Sequence, residues 1–241
     1  MDPRVCATVF AMSKHADQRD LWDAEHAKPS IHPAMDSADP SGAMAWLLTQ
    51  LDERGADLSE MTGLDFGCGK GRNTIFLAKK GVTMTGFDFS KVAIDEAKKR
   101  ADADDVAINW KVADAMKDWP YDDESFDLGI DCYASTDLDS PGARAHVRAE
   151  WKRVLKPGGY LLVAAMSDRS PYHADMIAKH SGAEAGSFVL PSGKFEKTFA
   201  EEELWELYED FELLTSTVHK GTGTFSGKQA KTENYWMLFG I

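Results

Sequence analysis

A chain that places three glycines within five residues, between an apolar run and a helix-like run, has few folds open to it. Leu64–Thr74 reads LDFGCGKGRNT, with Gly67, Gly69 and Gly71 at alternate positions. Glycine reaches positive φ readily and lets the backbone approach a ligand. The helix N-terminus just beyond offers free N–H groups. In parallel α/β sheets such turns lie at the carboxyl edge of the strands, where ligands bind. The stretch therefore predicts a strand–turn–helix unit with a small molecule over the glycines. It is not a P-loop, because GxxxxGK[ST] is absent. It is not the dinucleotide fingerprint either. The sixth position counted from Gly67 is Arg72, whose side chain would obstruct the helix–strand contact that a third glycine permits.

The flanking segments repeat the alternation. MTGLDF reads as a strand, and NTIFLAKK as a helix ended by Gly81. VTMTGFD is a second strand; Ser90 caps the helix KVAIDEAKKRA. VAINWKV and SFDLGIDC are the third and fourth strands, the latter with the continuous apolar character of a buried parallel sheet. Ala143–Leu155 places Val147, Trp151, Val154 and Leu155 on one helical stripe, and KPGG turns into a fifth strand, YLLVAAM. Before all of these, AMAWLLTQL (Ala43–Leu51) is an amphipathic helix. Residues 169–199 read as irregular, with one short helix at Tyr172–His180. An amphipathic turn or two around Leu204–Phe211 follows. FELLTSTVH and NYWMLFGI read as two final strands joined by a Gly/Thr-rich loop. With no helix between them, they are expected to pair antiparallel. The fold class is thus α/β, Rossmann-like and doubly wound, with a mostly parallel sheet and helices on both faces. Residues 1–40 form an N-terminal arm or lid and 41–241 the main domain. Met12 is a second plausible start, which would leave residues 1–11 outside the native chain.

Chemistry enters with the acids at the strand ends. Asp88, in GFDFS, lies about twenty residues past the glycine loop, where a carboxylate can accept from both ribose hydroxyls. Asp114, at the end of the third strand, can reach a base edge. The ordered set LDFGCGKG, GFDFS, ADAMKDWPYDDESFDLGID and LKPGGYLLV resembles the class I S-adenosylmethionine-dependent methyltransferases, over roughly Met61–Met166. There is a looser similarity to small-molecule enzymes of the thiopurine and tellurite kind. The resemblance implies a seven-stranded sheet and S-adenosyl-L-methionine as cofactor. It implies that Asp65 meets the ligand's amino group and that Gly67, Cys68 and Gly69 face its methionine portion. It gives Asp88 to the ribose, and Phe89, Asp114 and Ala115 to the adenine. Asp131 and Cys132 would then end the fourth strand near the sulfonium, and Lys156–Gly159 would be a structural turn. Cys68 is read as a small residue, not a nucleophile.

A methyl group on a sulfonium is already activated, and its transfer is an in-line displacement for which positioning can supply most of the rate. A general base is needed only where the acceptor must lose a proton early. The family motifs therefore leave the acceptor atom open. Three variable regions could build its pocket. The N-terminal segment offers Trp22, His26 and His32. The stretch after strand four offers Tyr133 and Asp137, and that after strand five offers Tyr172 and His173 as base candidates. The segment 181–199 is long enough to act as a lid. No HExxH or HxxxH spacing appears and the chemistry calls for no metal.

Composition narrows the partners. A net charge of −13 counts against a broad nucleic-acid interface. No apolar run reaches the roughly 18 residues of a membrane span, and no secretory signal is visible. Cys6, Cys68 and Cys132 lack CxxC spacing, which points to a reducing, cytoplasmic setting without disulfides. The expectation is a methyltransferase for a small-molecule acceptor, monomeric or homodimeric. The alternatives are a protein or RNA acceptor on the same fold, or a non-catalytic S-adenosylmethionine-binding regulator.

Overall fold

The computed structural model describes residues 14–27, 36–225 and 228–241. The second start at Met12, residues 1–11, Cys6 and His32 lie outside them.

The strands are β1 (Thr62–Phe66), β2 (Thr83–Asp88), β3 (Asn109–Val112), β4 (Phe126–Cys132), β5 (Leu155–Met166), β6 (Ser187–Val189), β7 (Phe195–Lys197), β8 (Glu212–Phe225) and β9 (Lys228–Gly240). Seven of them form one sheet in the order β3-β2-β1-β4-β5-β9-β8. The first five run parallel; β9 is antiparallel to β5, and β8 to β9. This is the Rossmann-like sheet with its C-terminal antiparallel pair.

The helices are α1 (Lys14–His26), α2 (Gly42–Glu53), α3 (Arg72–Lys79), α4 (Lys91–Ala103), α5 (Pro141–Val154), α6 (Pro171–His180) and α7 (Glu201–Leu207). Serines set three helix starts. The hydroxyls of Ser41, Ser90 and Ser140 accept from the N–H groups of Ala43, Ala93 and Ala143, and Pro141 follows at the first helical position of α5.

Each sheet face has its own core, because neighbouring side chains of a strand point to opposite faces. Leu64, Phe66, Leu161 and Val163 pack with Trp119, Trp151 and Tyr208. Leu128, Ile130, Leu162 and Leu238 pack with Met44, Leu47 and Leu51 of α2. Gly129 sits where Trp151 crosses the sheet: a Cβ there would lie 2.8 Å from the indole.

Three expectations are corrected. The irregular region 169–199 contains a small antiparallel hairpin, β6–β7. The third strand starts only at Asn109, because Val106 N–H still closes the end of α4 on Ala101 O and Asp105 takes φ +54. The Gly/Thr-rich stretch is strand, not loop: β8 and β9 stay paired from Glu212↔Gly240 out to Phe225↔Lys228. β-Branched threonines suit the pleat. Gly223 leaves room for the Phe225 ring, which a Cβ would meet at 2.6 Å. This long hairpin reaches over the carboxyl edge of the sheet.

Candidate active site

The glycine turn leaves β1 and enters α3. Gly67 and Gly69 take φ +61 and +53, conformations that strain any other residue. A Cβ on Gly67 would sit 2.6 Å from that of Ala134. On Gly69 it would meet only the His26 ring, at 3.7 Å, so the backbone there is open to the cleft. Cys68 N–H donates to Phe87 O at 3.1 Å and ties the turn to β2. Burial pushes its thiol well up, which suits the reading of a small packing residue.

Asp88 is the hinge of this floor. Its Oδ2 accepts from Gly69 N–H at 2.9 Å and its Oδ1 from Ser90 N–H at 2.8 Å. A carboxylate has about four lone-pair positions, so both oxygens keep one for a ligand hydroxyl. Burial raises the group to about 6, against the pull of those two N–H donors. Asp65, on β1, accepts from Thr74 Oγ1 at 2.5 Å, and burial raises it to about 7. Asp114 accepts from Met116 N–H and pairs with Arg19 of α1, both at 3.0 Å; Arg19 also lies over the Phe89 ring. Asp65, Gly67, Cys68, Gly69, Asp88, Phe89, Asp114 and Ala115 all line one cavity of about 620 Å³.

A glycine floor, a carboxylate held by it and a second carboxylate just past β3 stand together in that cavity. Residues 64–159 match the family model of a methyltransferase domain. A SAM-dependent methyltransferase of known structure from Methanosarcina mazei is 26% identical, with TM-score 0.70, over 78% of this chain and 96% of that one. Residues 64–159 carry a methyltransferase domain, and the fold is that of S-adenosylmethionine-dependent enzymes. A curated relative, the ubiquinone biosynthesis O-methyltransferase of Coxiella burnetii, is 31% identical over 130 residues, which are 54% of this chain and 53% of that protein. The 1,6-didemethyltoxoflavin-N1-methyltransferase of Burkholderia thailandensis, solved with S-adenosylhomocysteine, matches 100% of this chain and 96% of its own at TM-score 0.69. At 18% identity that likeness shows the fold alone. The chain spans about half the length of the curated relatives it matches.

The cavity continues past the glycine floor. Cys132, Tyr133, Asp137, Met166, His173 and Glu196 line it, together with His219, Phe225, Asn234 and Trp236 of the hairpin. Tyr133 takes φ +69 at the exit of β4 and starts the 3-10 turn Ala134–Asp137. Holding a bulky residue there costs about 1–3 kcal/mol, a strain found at functional turns. Its hydroxyl accepts from Trp236 Nε1 at 3.3 Å, and burial pushes it further above the ordinary phenol range. It is therefore a donor or wall, not a base. His173 has Nδ1 3.2 Å from Ser167 O. A carbonyl only accepts, so Nδ1 carries the hydrogen and Nε2 the lone pair. Burial lowers its basicity to about 4 and keeps the ring neutral.

Two expected residues stand elsewhere. Asp131 points to the opposite sheet face, where Ser135 N–H (3.0 Å), the Ser135 hydroxyl and Tyr208 OH (3.3 Å) all donate to it. It is fully buried and holds the 3-10 turn, while its neighbour Cys132 faces the cavity. Tyr172 is outside the lining; its ring stacks on Phe225 at 3.7 Å and 16°. It backs the wall that Phe225 presents. Of the N-terminal residues, Trp22 and His26 reach the lining. Arg19, Glu196 and the hairpin residues were not singled out by sequence.

Proposed function

We propose that this domain transfers the methyl group of S-adenosylmethionine to a small-molecule acceptor bound in the same cavity. The observation that carries the reading is continuity: the acids of the nucleoside floor and the aromatic far wall line one volume. A volume of about 620 Å³ falls within the roughly 300–1,000 Å³ of small-molecule sites. A relative named for ubiquinone biosynthesis supports a small-molecule acceptor.

The cofactor supplies a methyl group on a sulfonium, open to displacement by an acceptor lone pair. The chain's own residues bind and orient. Asp88 receives the ribose hydroxyls on its two remaining lone-pair positions. Asp114 receives an exocyclic amine once Arg19 swings from it. The turn at Gly67–Gly69 presents backbone to the methionine portion, with Asp65 behind it. Asp131 acts at one remove, by fixing the turn that carries Tyr133 and Asp137. We read α1 as a lid over this floor: besides the Arg19–Asp114 pair, the Ser90 hydroxyl donates to Asp23. No helix among the described residues is long and apolar enough to cross a membrane. A cytoplasmic site of action, as monomer or homodimer, belongs to the same proposal.

The test is calorimetric binding of S-adenosylhomocysteine, followed by its release from S-adenosylmethionine over a panel of amines, phenols, thiols and carboxylates. Binding with turnover of one acceptor class is the expected result. Binding with no turnover across the panel would move the reading to a macromolecular acceptor or a regulatory binder.

A further inference from the structure

Beyond the glycine floor the cavity carries two acids whose side chains have no hydrogen bond or ion pair among the described residues. Asp137 ends the 3-10 turn after β4, Glu196 is the middle residue of β7, and β7 packs on that turn. Both side chains line the cavity. Burial and each other's company raise Asp137 well above its ordinary range, and burial raises Glu196 to about 7. No hydrogen bond contributes to either shift; the Lys194 charge is what opposes both.

Lys194 is the neighbouring cation, and it is shared. Its side chain is 1% exposed, its Nζ lies 3.6 Å from Glu25 and 4.3 Å from the centre of the Trp22 ring, and it donates no hydrogen bond. A buried ammonium in an ion pair but without a hydrogen bond, and two carboxyls with no hydrogen-bond donor among the described residues, are an incomplete polar cluster. His26, next to it, is held neutral by burial at about 4. At the cofactor end, Arg19 and Lys70 are engaged with Asp114 and Asp36. Aromatic rings share the lining: Phe225 and Trp236 of the hairpin, and Trp22, whose ring already carries Lys194. Aromatic faces attract cations.

We infer that the methyl acceptor is an amine that enters as a cation, its ammonium held by Asp137 and Glu196 against this aromatic wall. The assignment rests on the methyl-transfer reading above. An anionic acceptor would face two carboxyls at close range. An ammonium supplies the missing donors and charge, and it also carries the proton that must leave. That proton passes to the Glu196 carboxylate. The freed nitrogen lone pair bonds to the methyl carbon, the carbon–sulfur electron pair stays on sulfur, and the products are an N-methylammonium and a neutral thioether. Glu196 then gives its proton to solvent. A base near neutrality is suited to that exchange.

The test needs no turnover in its first arm. Calorimetry on the full chain loaded with S-adenosylhomocysteine compares (4-hydroxyphenyl)trimethylammonium with its neutral isostere 4-tert-butylphenol. The cation is expected to bind at least about tenfold more tightly. That ratio should collapse in Glu196→Gln and in Asp137→Asn, which serve as independent checks should one of them fail to fold. Equal affinities in the wild type, or a ratio unchanged in the folded variants, overturn the assignment. So does a change confined to the S-adenosylmethionine to S-adenosylhomocysteine affinity ratio, which would give the acids to the sulfonium instead. In the second arm, arylalkyl amines should exceed matched phenols, thiols and carboxylates in kcat/KM by about tenfold or more. S-Adenosylhomocysteine binding with another class in the lead sinks the amine and leaves methyl transfer standing. No binding of S-adenosylhomocysteine sinks both.

Discussion

Arg19 of α1 reaches across the cleft to Asp114, Nη2 to Oδ2 at 3.0 Å, and so engages the carboxylate that the family assigns to adenine. The pair is half open to solvent, with side chains 42% and 26% exposed, so it is worth no more than about 1 kcal/mol. Arg19→Ala should free Asp114 and tighten S-adenosylhomocysteine binding, by up to about fivefold. Calorimetry reads this directly. Weaker binding would mean that Arg19 is itself a ligand contact.

Asp88→Ala removes the acceptor of two backbone N–H groups as well as the ribose partner. Cofactor affinity should fall by about 2–4 kcal/mol and stability by about 1 kcal/mol. Affinity unchanged in titration would remove Asp88 from the ribose.

Phe225→Ala takes away a wall that Tyr172 supports from behind. The acceptor KM should rise about tenfold while S-adenosylhomocysteine binds as before. Tyr172→Ala should do the same more weakly, since it acts through Phe225. A matching loss of cofactor affinity would contradict this division of the cavity.

Glu196 gives a pH signature. Its folded value, near 7, lies above the ordinary 4.5, with burial the chief cause, Lys194 opposing it and Asp137 alongside. The native state therefore holds the proton more tightly than the unfolded chain. This contribution to stability is complete below about pH 4.5 and is lost as pH rises through 7. Glu196→Gln lacks it. Thermal melts of the cofactor-free protein should show the variant gaining on the wild type between pH 4.5 and 8, by roughly 2 kcal/mol, or about 5 °C. A difference flat across that range would place Glu196 in water.

Gly129→Ala is a probe of the core alone. The new methyl group would lie 2.8 Å from Trp151 and 2.9 Å from Leu161. Overpacking of this kind costs about 1–3 kcal/mol. Denaturant midpoints should fall while the cofactor Kd stays within about twofold.

Where the glycines and the acids at the strand ends stand was readable, because chain order fixes it. In a parallel α/β sheet the strand ends face the ligand, so the glycines after β1 and the acids after β2 and β3 have one place to go. The acceptor half was less readable. Whether Asp131 or Cys132 faces the cavity depends on which sheet face Gly129 opens to Trp151, a packing fact that period two leaves undecided. Glu196 sits in a strand of three residues, too short to announce a period. The threonines and glycines of 220–225 carry turn chemistry and strand chemistry at once. Only their pairing with 228–233 decides for strand. Arg19 meets Asp114 across 95 residues of chain, beyond any local pattern.

The bond from Gly69 to Asp88 has a consequence for how tightly a nucleoside can be held. The glycine loop and the Asp88 carboxylate are one preorganised body, set when the sheet folds. A ligand landing there forfeits little conformational entropy in the protein. On the other side of the cavity, the Arg19–Asp114 pair that ties α1 to the floor is partly exposed and cheaply broken. Under the proposed function, cofactor affinity is set by a rigid half that comes with the fold, and residence time by a looser half that sequence change can retune without disturbing the first.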